Sequence, residues 1–322
     1  MKKNLILLGL MVSSVTMLGQ AKEDAKKENW YFKLGGSYFT QTAATEFPVV
    51  GGQLPNKDVY AGTLQNNKLI SRESVTGSFG EGFRTGLVAG YRFNTRVGVE
   101  MGVNYYASSS KTMAQTTNRL ISYNPANSPA ATYVSFTAEG QIKAFDLAPS
   151  IVLFLGEAKG FESYTKVGII VPISGTLDIE TNRDYKTFVG ANQVAETQAY
   201  SKDVVKPNPT IGFMSALGTS YKLGKKLSAF AEIEYRNFTV HGKSKETKAY
   251  TENGVDKLNA STNFRQASYA AIHTDYVDRL DGNSNNSEYN AAGYDSTKPM
   301  NELSSYVGIS GLGLTLGLKY SL

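Results

Sequence analysis

Two histidines, both in the last third of the chain, are the only imidazoles that the sequence offers for acid–base chemistry. His241 is followed three positions later by Ser244, a hydroxyl that an imidazole could activate as a nucleophile. On a β-strand, however, an odd offset directs two side chains to opposite faces, so this pair cannot share a proton. We therefore expect His241 and His273 to be solvated side chains in a loop, and the sequence predicts no catalytic residue and no enzyme.

The stretch DRLDGNSNNSEY, at 278–289, is the other place where residue types suggest a bound ion. Carboxylate and amide oxygens are calcium ligands, and in a calcium loop they alternate around a central glycine. With Gly282 as that glycine, Val277 and Arg279 occupy positions that require acidic ligands. The chain has no cysteine, which excludes thiolate metal sites and disulfides. We expect no metal and no cofactor.

Charged residues of both signs recur on the polar face of segments whose other face is apolar. If these segments are strands of a narrow barrel, the polar face lines the lumen, where each charge must be paired. Two hypotheses follow: salt bridges that plug the lumen, or a selective pore whose mixed charges do not specify its selectivity. The predicted lumen residues are Lys33, Arg84, Arg92, Glu100, Asp146, Lys166, Glu232, Glu234, Arg236 and Lys319.

The elements that position these charges are predicted to be β-strands, because apolar residues recur with a period of two. A content of 20 Tyr, 15 Phe and 31 Gly in 322 residues also favours an all-β protein. Eight segments show the alternation, and SGLGLTLGLKYSL at the C-terminus shows it most regularly. Its apolar face carries Leu312, Leu314, Leu316, Leu318, Tyr320 and Leu322.

The fourth of these segments changes its pattern in the middle. Before Ala144 the apolar residues are even-numbered, as in Val134 and Phe136, whereas after it they are odd-numbered, as in Ile151 and Leu153. A one-residue bulge explains this change, and Pro149 would suit one. A long strand whose outer half projects beyond a membrane explains it equally well.

The connections between the eight segments alternate in length. Short turns are predicted at 94–95, 156–160 and 224–226, and long loops at about 41–81, 108–132, 176–206 and 241–303. This sorting is typical of outer-membrane β-barrels, which have short periplasmic turns and long extracellular loops. The sequence therefore predicts an eight-stranded antiparallel up-and-down transmembrane barrel over 30–322, in which hydrocarbon faces outward and the small and charged residues face the lumen.

The N-terminus has the order of an export signal. Lys2 and Lys3 precede an apolar stretch, and Gly19-Gln20-Ala21 is a small-x-small cleavage site. We predict a signal peptide at 1–21, followed by a short periplasmic segment at 22–29. Loss of the two lysines lowers the formal net charge from +5 to +3, and such a nearly neutral chain implies no nucleic-acid partner.

The signal sequence, the segment GLVAGYRFNTRVGVEMGVNYY and the alternating last strand together resemble the small outer-membrane β-barrel proteins of diderm bacteria, the OmpA/OmpX/OmpW type. The resemblance implies a location in the outer membrane, contact with its lipid and lipopolysaccharide, and a last strand that is read by the barrel-assembly machinery. In that family the last residue is usually aromatic, whereas this chain ends in Leu322.

Two functions are compatible with this sequence. The long loops, rich in Tyr, Ser, Gly and Asn, suit a structural or surface-interaction role towards an extracellular ligand or a host surface. The alternative is a narrow porin-like channel for small or hydrophobic solutes.

Overall fold

A computed structural model describes residues 30–62, 67–124, 130–208 and 210–322. The predicted signal peptide at 1–21 and the segment at 22–29 lie outside these residues. The described chain is mainly β-structure, and none of its helices is long and apolar enough to span a membrane. The strands are β1 (Trp30–Gln41), β2 (Thr45–Glu46), β3 (Asn56–Ala61), β4 (Lys68–Ser74), β5 (Thr76–Gly77), β6 (Gly82–Arg92), β7 (Val97–Ser108), β8 (Lys111–Asn124), β9 (Ala130–Ala158), β10 (Phe161–Val189), β11 (Asn192–Asn208), β12 (Gly212–Lys222), β13 (Leu227–Asn237), β14 (Thr239–Glu252), β15 (Val255–Asp256), β16 (His273–Val277), β17 (Met300–Leu303), β18 (Tyr306–Gly308) and β19 (Gly311–Ser321), and the helix is α1 (Tyr269–Ile272).

Eight antiparallel strands close into a ring, which we call the lower barrel. The order is β1, β6, β7, β9, β10, β12, β13 and β19, and β19 then pairs with β1 over the full length of both strands. Only the first half of β10 and the second half of β9 belong to this ring. The three short turns lie at one end of it, as does the bond from the Leu322 N–H to the Trp30 carbonyl (3.1 Å). The eight-stranded ring and the short turns agree with the sequence prediction.

The two faces of the ring strands differ sharply in exposure. Five of the six predicted apolar residues lie in β19 and the sixth, Leu322, follows it; all six point outward and are between 45% and 59% exposed, whereas Thr315 is buried. The same outward face of the other strands carries large apolar side chains, among them Phe83, Ile151 and Leu217. The lower barrel therefore has a hydrocarbon exterior, and its closed ladder leaves the strand backbones paired, which is the arrangement required of a membrane-spanning sheet.

The prediction of four long loops was wrong for most of their residues. β8 lies within 108–132, the far half of β10 and most of β11 within 176–206, most of β14 and all of β15, α1, β16 and β17 within 241–303, and β2 to β5 within 41–81. These elements extend the sheet beyond one end of the ring, and we call this part the upper region. Their strands lack a continuous apolar outer face, and so the alternation used to find strands is weak there.

The pattern change near Ala144 lies in a strand that continues beyond the lower barrel. Even-numbered side chains of β9 point inward from Val134 to Phe154, so β9 itself has no bulge that moves side chains to the other face. The bulge lies opposite, in β10, where Pro172 pairs with Asp146 and Ser174 pairs with Phe145, leaving Ile173 as the extra residue. The apolar residues of β9 therefore change from outward to inward positions while the strand continues without a bulge. This supports the explanation by a long strand whose outer half projects beyond a membrane.

An apolar core fills the junction between the lower barrel and the upper region. Phe79 and Met113 are fully buried there and pack with Ile142, Ile170 and Phe238. The Tyr106 hydroxyl donates to the Phe79 carbonyl at 2.6 Å, which satisfies the polar tip of that ring. This core lies at the end of the lumen opposite the short turns.

Candidate functional site

The structure places all ten predicted lumen residues inside the lower barrel, each at most 7% exposed. They form three tiers of ion pairs along the barrel axis, and every charge has a partner of opposite sign. Such pairing is what a dry interior demands, because an unpaired buried charge is expensive. An eleventh charge, Glu162 of β10, belongs to the same set.

The middle tier consists of two lysines and two glutamates in a square. Lys33 Nζ lies 2.6 Å from Glu100 Oε1 and 3.0 Å from Glu232 Oε1. Lys166 Nζ lies 2.6 Å from Glu232 Oε2 and 3.6 Å from Glu100 Oε2. The four residues come from β1, β7, β10 and β13, so the square ties together strands from opposite sides of the ring.

Two tyrosines complete the middle tier. The Tyr164 hydroxyl donates to Glu232 at 2.7 Å, and the Tyr31 hydroxyl donates to Glu100 at 3.0 Å. The ammonium of Lys33 also lies 4.2 Å from the centre of the Tyr164 ring, in cation–π geometry. The aromatic rings fill the space between the charges, so that water has little room to enter.

The upper tier joins arginines to acids. The Arg84 guanidinium binds both oxygens of Glu234, and its Nη2 also contacts Ser37. Arg236 Nη2 lies 2.6 Å from Asp146 Oδ2. The other carboxylate oxygen, Asp146 Oδ1, accepts a hydrogen bond from the Asn104 amide at 2.8 Å. Fork-shaped pairing of this kind fixes geometry as well as charge.

The lower tier contains the residue that the sequence analysis missed. Glu162 lies 2.7 Å from Arg92 and 3.2 Å from Lys319, bridging two cations that would otherwise repel. The Arg92 guanidinium also stacks on Phe154 at 3.7 Å. Glu162 could have been found from its position, because it shares the even-numbered face of β10 with Lys166.

The space left in the lumen is very small. Between the middle and upper tiers a cavity of about 30 Å³ remains, lined by the charged residues and by Ser37, Gly35 and Gly86 among others. This space has room for at most about two or three water molecules. In this structure the side chains therefore plug the lower barrel and leave no pore through these tiers.

The wall of the barrel is interrupted where the lower barrel meets the upper region. One edge of β10 pairs with β12 up to Ile170 and with β11 from Leu177, so 171–176 have no ladder partner on that edge among the described residues. The lower end of β11 pairs with β14 instead. A cavity of about 520 Å³, which we call the wall cavity, lies at this break. Ile173 lines it and is also 59% exposed on the outer face.

A larger cavity, of about 1050 Å³, lies within the upper region, and we call it the chamber. Its walls include Val134 and Phe136 of β9 and Ile179 of β10, together with Arg183 and Arg265. Neither cavity is predictable from the alternation in the sequence, because both depend on strands in the ranges that were predicted to be loops.

The histidines are held in structure and are not freely solvated. His241 is half-buried in β14, and its Nδ1 lies 3.2 Å from Ser304 Oγ. That hydroxyl also donates to the Gly242 carbonyl, and among the described residues no carboxylate hydrogen-bonds to His241. His273 stacks on Tyr269 at 3.9 Å. Within the described chain no group of three His, Asp or Glu side chains could hold a metal ion.

No protein-family model matches the chain, and neither does any curated protein. Among solved structures the chain is similar to the outer membrane protein OprG from Pseudomonas aeruginosa. The match covers 92% of this chain and 97% of that chain, at 9% sequence identity and a TM-score of 0.39. This degree of likeness assigns no function.

Proposed function

We propose that the protein is a non-enzymatic outer-membrane β-barrel protein whose lower barrel is a closed anchor and whose upper region acts at the cell surface. The observation that carries this proposal is the lumen, in which interlocked ion pairs leave only about 30 Å³. A plugged anchor leaves the upper region as the part that is free to meet other molecules.

The outer membrane of a diderm bacterium is the location that best suits the lower barrel. Its hydrocarbon exterior calls for lipid, and closed β-barrels with an export signal are found in that membrane. The proposed partners are accordingly the lipid and lipopolysaccharide around the barrel, and the assembly machinery that would read β19 and Leu322, which together carry six outward apolar residues. The OmpA/OmpX/OmpW type is the family that this arrangement resembles.

The upper region suits a structural or surface-interaction role. Its sheet carries polar outward residues such as Asn182 and Glu139, and its connections are held by many side-chain hydrogen bonds; Asn285, for example, contacts the carbonyls of Asp295 and Pro299. A folded surface of this kind offers a defined face to an extracellular ligand or a host surface.

Single-channel recording in planar bilayers tests the closed anchor. We expect the full chain to insert without a stable open level, because its ion pairs would have to separate in a dry lumen before ions could pass. A porin inserted into the same lipid shows that channels are detectable. A large, stable conductance from this chain would contradict the proposal.

A second candidate function is the lateral passage of small hydrophobic molecules, and the wall cavity is the observation that favours it. The cavity is lined mainly by apolar side chains and includes Ile173, which is exposed towards the membrane. In an Ala144→Trp variant the indole would fill the cavity from β9. We expect this variant to bind the uncharged dye N-phenylnaphthylamine several-fold more weakly than the wild type does, whereas Ala107→Trp, on the outer face of β7, should bind it unchanged. Equal dye binding by the wild type and Ala144→Trp would exclude this site.

A further inference from the structure

The chamber contains two positive charges that the protein does not neutralise by direct pairing. Arg183 of β10 donates to the Ser201 hydroxyl at 2.9 Å, and Arg265 donates to the carbonyls of Leu258 (2.8 Å) and Ala271 (3.4 Å). Among the residues that the structure describes, neither guanidinium forms an ion pair. This contrasts with the lumen, where every charge is paired.

The two guanidiniums lie in the same part of the chamber. Tyr185, two residues after Arg183, stacks on Phe264, next to Arg265, with ring centres 3.9 Å apart. Burial lowers the pKa of Arg265, and repulsion from Arg183 acts in the same direction. An anion between them would relieve both effects.

The other charges of the chamber do not cancel this excess. Lys245 is paired with both oxygens of Glu302 at 3.1 Å. Asp203 accepts a hydrogen bond from Thr247 at 2.6 Å and attracts Arg265 without forming an ion pair with it. The remaining acid, Glu288, is exposed at the rim. The interior is therefore one negative charge short.

One wall of the chamber, formed by β9 and β10, carries the apolar residues Phe136, Ile179 and Leu177 and continues to the wall cavity. Leu177, Val205, Gly242 and Val307 line both cavities, so the two spaces meet at these residues. Along β10, Arg183 lies six residues beyond Leu177, a distance of about 20 Å. A site with cations at one end and an apolar wall of that length suits a molecule that has an anionic head and a long apolar chain.

We propose that the chamber binds a single-chain amphiphilic anion. Its head, a carboxylate or a phosphate, accepts hydrogen bonds from Arg183 and Arg265, and its apolar chain lies along Leu177 and Val205 towards the wall cavity. This proposal goes beyond the surface role, because it assigns a ligand class to a specific cavity. It holds whether or not the wall cavity passes molecules into lipid.

Equilibrium dialysis on the full chain, held in amphipol without detergent, tests the site. The probes are radiolabelled hexadecanoate, hexadecyl phosphate, hexadecan-1-ol and acetate. We expect saturable binding of the two long-chain anions, with the alcohol and acetate binding at least tenfold more weakly, because each lacks half of the recognised structure. Equal binding of hexadecanoate and hexadecan-1-ol would overturn the role of the guanidiniums, and equal binding of acetate would overturn the role of the chain.

Variants locate the site. Arg183→Gln should weaken hexadecanoate binding about tenfold and leave hexadecan-1-ol binding unchanged, whereas Arg183→Lys should restore part of the loss. Arg72→Gln, which removes an exposed arginine of β4, is the matched control and should bind as the wild type does. Arg265 also donates to the carbonyls of Leu258 and Ala271, so Arg265→Gln changes the local structure as well as the charge. The decisive variant is therefore Arg183→Gln. Unchanged hexadecanoate binding in Arg183→Gln would overturn the proposal. This assay is independent of conductance, so its failure would leave the closed anchor intact.

Discussion

The two halves of β9 point the same positions inward but expose opposite kinds of residue on their outward face. In the lower barrel the outward residues are apolar, such as Ile151, and the inward ones include the polar Asp146 and Ser150 beside the apolar Val152 and Phe154. In the upper region Val134 and Phe136 are buried inside, and the outward face is polar. On the proposed location in the outer membrane, this one uninterrupted strand has lipid around its lower half and water around its upper half.

The difference shows that the surroundings decide which face is hydrocarbon and that the interior must then adapt. A barrel in lipid gains nothing by burying hydrocarbon in its lumen, so the lower barrel fills its lumen with charges in compensating pairs. The upper region, in water, buries hydrocarbon in the usual way. It can also tolerate the unpaired guanidiniums of the chamber, because they are only half-buried.

The largest effect is expected from breaking the middle tier. Glu232→Ala removes the carboxylate that contacts both Lys33 and Lys166, leaving two buried cations with one acid between them. This should lower the free energy of unfolding by about 3–5 kcal/mol, measured by urea titration in lipid vesicles. Glu180→Ala, which breaks the half-exposed pair with Lys202 in the upper region, should cost no more than about 1 kcal/mol. Equal losses of stability in the two variants would show that the buried ion pairs of the lumen matter no more than an exposed pair.

Lysine substitutions on β19 test the lower barrel. Leu316→Lys places a charge in hydrocarbon and should cost about 2–4 kcal/mol if it lies near the midplane. Thr315→Lys faces the lumen, where Glu234 and Glu232 are neighbours across the β13 ladder, and should cost less despite crowding. The same vesicle titration measures both variants. A clearly greater loss for Thr315→Lys would mean that the two faces have been assigned the wrong way round.

In the upper region an inward lysine should be more costly than an outward one, which is the opposite of the order expected for the lower barrel. Ile179→Lys buries an ammonium beside the chamber and should lower the stability by about 1–3 kcal/mol. Asn182→Lys, on the outward face of the same strand, should change it by less than about 0.5 kcal/mol. Thermal unfolding of the upper region, followed by hydrogen exchange of β10 and β11, gives both values. If the outward lysine were the costlier one, the upper region would also be surrounded by lipid.

The smallest effect concerns an exposed carboxyl of the upper region. Hydrogen bonds from the hydroxyl and N–H of Thr297, with the Lys298 ammonium, lower the pKa of Asp295 from 3.8 to about 2. Because the folded pKa is depressed, the stabilisation is present above about 3.8 and is lost as the pH falls through about 2. The protection of the Thr297 amide, measured relative to its intrinsic exchange rate at each pH, should therefore fall only in that range. Asp295→Asn should abolish this pH dependence. Loss of protection already at pH 5 would contradict the hydrogen-bonded geometry.

The sequence predicts the lower barrel better than the upper region, for a physical reason. A strand between lipid and lumen carries a strong alternation, as β19 does, so the eight ring strands and the faces of their charges are visible in the sequence. A strand between water and a partly empty chamber does not: in β11 only Ala199, Ser201 and Val205 are buried, and they are mixed with polar residues. The chamber and its two arginines follow from the packing of such strands and were therefore missed.

Nitroxide accessibility along β9 tests whether the outward face changes from apolar and lipid-facing to polar and water-facing at Ala144. The chain has no cysteine, so single cysteines can be labelled one at a time along the outward face, from Ser135 to Leu153, in reconstituted vesicles. We predict that labels at 147, 151 and 153 collide with oxygen in lipid, that labels at 135, 137 and 139 collide with a water-soluble nickel chelate, and that the change falls at 143–145. Oxygen-dominated collisions throughout, or nickel-dominated collisions at Ile151, would contradict this account.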